Sequence, residues 1–333
     1  MTLLSMVQSA ATAATSWWEH DLDPNLFVIP FPQIGPLQNG IPIRFYSLAY
    51  LLGLAFAWWF MRRLSRQRRI ALDELAVADL IIPYALLGVM VGGRLGYVLF
   101  YDVDPATGRY TWLDAPQKIF QIWEGGMASH GGLLGVLVAM WLFARRRKVA
   151  LLHVLDLCAL TVPVGLFLGR VANFINGELW GRISTVSWAV LFPKAPSAPP
   201  EFVASHPELA AIFQRGLVPR HPSQLYEALG EGLLVFLVLF AIHKKALPRA
   251  GALSGLFLLL YGVGRIVSEQ FREPDSHIGY QWLGLTRGQI LTGGLLVAGV
   301  ALLLSARRRP PQEFTPPLPP AGAGGSAPPA ARS

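Results

Sequence analysis

Charge is scarce in this chain. Only 14% of its 333 residues are Asp, Glu, Lys or Arg, while 53% are hydrophobic; a soluble domain carries about 25% charged residues. That deficit argues against an ordinary soluble protein and for a membrane protein. Cysteine is almost absent too. Cys158 stands alone inside an apolar run, so no intrachain disulfide can form and no metal cluster is expected; a small buried apolar residue is sufficient explanation for it. Nowhere do polar and apolar residues alternate over about ten positions, which argues against an outer-membrane barrel. A GxSxG elbow, a P-loop, a dinucleotide fingerprint and zinc motifs are missing as well.

What the sequence has is long apolar runs. A membrane-crossing helix needs roughly 20 mostly apolar residues, and seven segments qualify, at about 43–60, 76–100, 127–144, 151–174, 224–242, 252–271 and 288–305. The expected fold class is all-α: a polytopic membrane protein of seven transmembrane helices in one domain, residues 1–309. Residues 310–333, rich in Pro, Ala and Gly, are expected to form a disordered tail. Two excursions interrupt the helices, 101–124 and the longer 176–222. The second contains FPKAPSAPP, whose prolines rule out a continuous helix and leave open a small head or a mobile lid. Gly88, Gly92 and Gly96, with Gly131, Gly132 and Gly135, predict close helix–helix packing.

The formal net charge of +8 suggests nucleic acid, but its placement does not. Arg62, Arg63, Arg66, Arg68 and Arg69 follow the first segment, and Arg145, Arg146, Arg147 and Lys148 follow the third. Lys244, Lys245 and Arg249 follow the fifth, and Arg307, Arg308 and Arg309 the seventh. No Lys or Arg precedes Arg44, and the opposite side is thinly charged. The positive-inside rule then puts the N-terminus outside and the C-terminus in the cytoplasm. Without a basic n-region, no cleaved signal peptide is expected.

A few polar groups lie within or at the ends of these segments: Arg44, Tyr46, Arg94, His130, Asp156, Arg170, Asn173, Glu178, Arg265, Glu269 and Arg272. An ionisable residue at membrane depth costs roughly 2.5–3.5 kcal/mol, so each needs a partner or a task. One Arg near a helix end is explained by snorkelling. Five of them at the ends where positive charge is disfavoured predict instead a convergent outer-leaflet anion site. In YGVGRIVSEQFREPD, Tyr261, Arg265, Glu269 and Arg272 share one helical face. A Glu between two Arg would hold both forks and leave one for a ligand; a buried ion-pair ladder between helices is the structural alternative. Arginine suits a phosphodiester because its planar fork meets two oxygens and stays charged. Asn173 and Asn176 can bond glycerol hydroxyls or hold nearby backbone. His130, in WEGGMASHGG, suits general-base work or a structural hydrogen bond.

GRVANFINGELWGR (169–182) closely resembles the signature of the bacterial phosphatidylglycerol–prolipoprotein diacylglyceryl transferases. GGRLGYVLFY (92–101), WEGGMASHGGLLG (123–135), RHPSQLYEALGEG (220–232) and GRIVSEQFREPD (264–275) are similar to other family segments in the same order; Ala172 departs from a common Gly. The resemblance implies transfer of a diacylglyceryl group from phosphatidylglycerol to the lipobox cysteine of a preprolipoprotein, forming a thioether and releasing glycerol 1-phosphate. It implies an inner-membrane enzyme, active toward the periplasmic leaflet, needing no metal, cofactor or nucleic acid. His130, Arg170 and Arg265 become the catalytic candidates, His130 as base and the arginines on the phosphate. Arg170, Asn173, Glu178, Gly181, Tyr46, Tyr261, Glu269 and Arg272 become the substrate-binding set. Two rivals remain, an anionic-lipid transporter or flippase and a non-catalytic lipid-binding protein. A transporter needs a polar route through the cytoplasmic half, where Asp156 stands nearly alone.

Overall fold

The structure of the chain, a computed structural model, describes residues 17–30, 40–104, 107–121, 125–273 and 287–312, leaving out the side chains of Ser129 and Arg287. The tail expected after residue 310 lies outside the described residues from 313 onward.

Long helices occupy each apolar segment. They are α1 Phe45–Arg66, α2 Glu74–Phe100, α3 Ser129–Arg147, α4 Leu151–Asn176, α5 Ser223–Ala246, α6 Ala252–Glu269 and α7 Arg287–Arg308. Among the described residues, five helices (α2, α4, α5, α6 and α7 from Gly288) are long and apolar enough to cross a bilayer. The other two are shortened as apolar stretches by their own ends. Arg62, Arg63 and Arg66 close α1, while α3 opens on Ser129 and His130 and closes on Arg145, Arg146 and Arg147. The chain is a polytopic helical membrane protein.

By their contacts the described residues group into two compact units, one from the ranges 1–57 and 155–310 and the other from 58–154. In the second unit α2 packs along α3 through glycines. A Cβ on Gly92 or Gly96 would stand 2.7 Å from the Cα of Gly135 or Gly131, so only glycine lets these backbones touch. Between apolar helices in lipid, such contact is a main source of attraction. α2 relaxes into a π-helical stretch over Leu80–Leu86, around Pro83, which has no N–H to continue the ladder.

The first unit begins with β1 (Trp18–Glu19), β2 (Asn25–Ile29) and β3 (Ile41–Arg44); β2 and β3 form an antiparallel hairpin leading into α1. The excursion 176–222 carries secondary structure and a small buried cluster of its own. β4 (Val190–Leu191) and β5 (Pro219–Arg220) join β1 in a three-stranded sheet ordered β1-β4-β5. Helical turns Pro200–Ser205, Pro207–Leu209 and Ala210–Phe213 lie between β4 and β5, two of them started by prolines. Leu191, Leu209, Ile212 and Leu217 form a buried cluster against Trp17, Phe202 and Phe213.

Asp156 has a structural task. It lies fully buried on α4, and its carboxylate accepts from Gly251 N (2.7 Å), Ser254 N (2.7 Å) and Ser254 Oγ (2.6 Å). The residue preceding α6 is Gly251, at φ 92°, which has no side chain to cap the helix; Asp156 supplies the cap from another helix. Asp156→Ala leaves buried donors unpaired and is expected to cost about 3 kcal/mol. The measurement is the unfolding midpoint in detergent; an unchanged midpoint contradicts the assignment.

Candidate active site

Within the first unit, α4, α5 and α6 bring charges together. Arg170, in the last turns of α4, sets Nη2 2.7 Å from Glu227 Oε2 and 4.0 Å from Glu231 Oε2. Arg265 on α6 places Nη1 3.6 Å from Glu227 and 3.7 Å from Glu231, while its Nη2 pairs with Glu269 at 2.6 Å. Arg272, just past α6, reaches Glu227 Oε1 at 3.6 Å. One carboxylate is therefore shared by three guanidiniums. Ser268 donates its hydroxyl to Glu231. Glu231 sits in a π-helical stretch, Ala228–Leu233, that begins directly after Glu227; such turns re-aim side chains and are frequent at functional sites.

Exposure divides the cluster by charge. The Glu227 side chain is 1% exposed, whereas those of Arg170, Arg265 and Arg272 keep 20%, 15% and 16%. The carboxylates lie behind and the arginines line the open side. Nη1 of Arg265 is buried with no hydrogen-bond acceptor among the described residues, because 3.6 Å is beyond a hydrogen bond. Removing the shared carboxylate leaves three cations facing one another. Glu227→Ala is expected to destabilise the protein by about 3–5 kcal/mol, with Glu227→Gln milder. Equal midpoints for wild type and Glu227→Ala would contradict this.

The loop after α4 is built around Glu178. Its Oε1 accepts from Asn173 Nδ2 (2.8 Å) and Asn176 Nδ2 (3.2 Å), and its carbonyl from Gln224 Nε2 (2.6 Å). Both amides thus hold the turn that leaves α4, and Gln224 ties that turn to the start of α5. Gly181 passes between two other backbones. Its N–H donates to His221 O (2.9 Å), it bridges to Arg272, and a Cβ there would meet Phe271 O at 2.5 Å. Arg182 N donates to Phe271 O (2.8 Å) and Arg182 Nε to Arg272 O (2.9 Å), fixing the segment that carries Arg272. Arg220, buried, bonds Gly181 O (3.1 Å) and Glu273 (2.9 Å). Beside it, burial lowers the His221 imidazole below its ordinary pKa.

Tyr261 lies one turn before Arg265, its ring stacked on Phe257 at 5.7 Å. Tyr46 opens α1, its ring edge-on to Tyr50 at 5.2 Å and 36% exposed. His130 belongs to the second unit, exposed in the first turn of α3. Two of the five arginines expected in an anion site are placed otherwise. Arg44 pairs with Asn25 in the β2–β3 hairpin, where it is exposed. Arg94 spends its donors on backbone carbonyls of Lys118, Ile119, Gly125 and Gly126. Sequence reasoning misses Glu227, Glu231, Ser268 and Gln224. The available signal was two glutamates four residues apart in an apolar run, each in need of a partner. Among the described residues, no three of His, Cys, Asp or Glu come together as metal ligands would.

Membrane-crossing helices with an arginine–glutamate cluster set between three of them define the class: an integral membrane protein with a buried ionic site. The chain belongs to the prolipoprotein diacylglyceryl transferase family, whose model matches residues 33–305. Curated relatives named phosphatidylglycerol–prolipoprotein diacylglyceryl transferase are similar along nearly their whole length. That of Methylocella silvestris is 44% identical over 285 residues, covering 83% of this chain and 95% of that protein. That of Idiomarina loihiensis is 45% identical over 293 residues, covering 87% and 96%.

Proposed function

We infer that this chain is the enzyme its family membership indicates: it transfers a diacylglyceryl group from phosphatidylglycerol to a prolipoprotein, a step of bacterial lipoprotein maturation. The acceptor is the lipobox cysteine. Its sulfur attacks the glyceryl carbon, the bond from that carbon to the phosphate oxygen breaks, and a thioether forms. The thiol proton passes to a base, and glycerol 1-phosphate leaves.

The observation that carries this reading is the sharing of the buried Glu227 by Arg170, Arg265 and Arg272, whose own side chains stay partly exposed. A buried ion network is often no more stable than apolar packing of the same volume, so stability alone is a weak reason to keep one. Guanidiniums held from behind by carboxylates are pre-oriented for two phosphate oxygens. Charge grows on that phosphate as the carbon–oxygen bond breaks, and fixed cations stabilise it most at that moment. Arg170 and Arg265 hold the phosphate, and Arg272, Glu269, Tyr261 and Tyr46 complete the lipid site. Asn173, Glu178 and Gly181 maintain the loop around it. His130 takes the proton from a thiol whose pKa is ordinarily about 8.5. All seven helices cross the inner membrane, with the N-terminus outside, the C-terminus in the cytoplasm and the reaction at the periplasmic leaflet.

Purified protein, phosphatidylglycerol and a lipobox peptide should suffice. Mass spectrometry should show the cysteine gaining one diacylglyceryl unit as glycerol phosphate appears. Lipid binding with no modification would contradict the reading and indicate a non-catalytic lipid-binding protein.

A further inference from the structure

We propose that Arg94 is a positioning residue for the reaction: its guanidinium clamps the backbone leading into α3 and thereby sets where His130 stands. The proposal rests on the reading of His130 as the base, and its test separates the two.

Arg94 is 6% exposed on α2, and its hydrogen bonds go to carbonyls from two stretches of chain. On one side Nε donates to Ile119 O at 3.1 Å and Nη2 to Lys118 O. On the other, Nη1 donates to Gly125 O at 2.6 Å and Gly126 O at 3.2 Å. The cation also lies 5.7 Å from the ring centroid of Tyr97. Only a guanidinium offers donors in a planar fork that can face two backbone segments at once; an ammonium is a point charge.

The backbone is shaped to the clamp. Gly125 and Gly126 have φ of 85° and 77°, the left-handed region that glycine enters without strain. A Cβ on Gly126 would strike the Tyr97 ring. Ala128 N then donates to Gly93 O at 2.9 Å, and α3 begins at Ser129. Directly after His130, Gly131 lies against Gly92 and Gly96. His130 therefore sits on a turn held by the clamp before it and the glycine contact after it. Its ring is exposed, so the backbone is what places it.

The test is a double-mutant cycle of Arg94→Met with His130→Gln, comparing variants whose thermal midpoints show them folded. Arg94→Met should lower kcat about a hundredfold, with KM for phosphatidylglycerol within about threefold of wild type. Arg94→Lys should recover part of the loss, and it carries the same comparisons if Arg94→Met does not fold. In the His130→Gln background either change should add little. Equal losses in both backgrounds overturn the proposal, and so does a raised KM with kcat intact, which would make Arg94 a lipid-binding group. A nitroxide on His130→Cys, in a Cys158→Ala chain, reads placement without activity. Arg94→Met should sharpen its electron paramagnetic resonance spectrum, and an unchanged line shape overturns the clamp. Failure of the base reading alone looks different: full turnover in His130→Gln, with the nitroxide spectrum still sharpened by Arg94→Met.

Discussion

Arg170→Lys is expected to lower kcat/KM for phosphatidylglycerol by about 10²–10³ while leaving the protein folded. Lysine keeps the positive charge beside Glu227, so the buried carboxylate is still neutralised. What it removes is the fork. Arg170 pairs Nη2 with Glu227 at 2.7 Å and its side chain remains 20% exposed, and a guanidinium has further donors with which to meet a second anion. A single ammonium cannot both pair with Glu227 and bond two phosphate oxygens. The loss should be larger in kcat than in KM, because charge on the departing phosphate is greatest in the transition state. Steady-state kinetics with a lipobox peptide measures this. Activity within about threefold of wild type would remove Arg170 from the site.

The second large effect is expected at His130. His130→Gln keeps a polar side chain of similar size but cannot accept the thiol proton, and kcat at neutral pH should fall by about 10²–10⁴. The pH dependence gives the sign. Below the thiol's own pKa of about 8.5, each pH unit raises the thiolate fraction about tenfold, so the variant should regain activity as pH rises while wild type changes less. A variant impaired equally at every pH would show that His130 positions groups and does not take the proton. Undiminished turnover would assign the ring a purely structural role.

Much of this architecture is legible in the sequence, for a simple physical reason. Lipid demands continuous apolar stretches, and all seven such stretches are helical here. The glycine spacing in 88–96 and 131–135 likewise predicts the contact that α2 and α3 make. Arg170, Arg265 and Arg272 stand out because arginines at those helix ends run against the charge bias of the loops. What is not legible is pairing across helices. Nothing in the spacing of Glu227 and Glu231 says that they face Arg170 on α4 and Arg265 on α6, since those contacts join residues distant in sequence. Arg94 shows the same limit from the other side. Its residue type and place on a helix match those of Arg170, yet its donors meet carbonyls while those of Arg170 meet a carboxylate. Asn173 offers a third example: as a residue type it suits a glycerol hydroxyl, but its amide donates to Glu178 and builds the loop.

The central claim is that the arginines sharing Glu227 receive the lipid phosphate. An experimental structure of the protein with phosphatidylglycerol bound tests it most directly. The phosphate should lie within hydrogen-bond distance of both Arg170 and Arg265. A phosphate bound away from both arginines would contradict it.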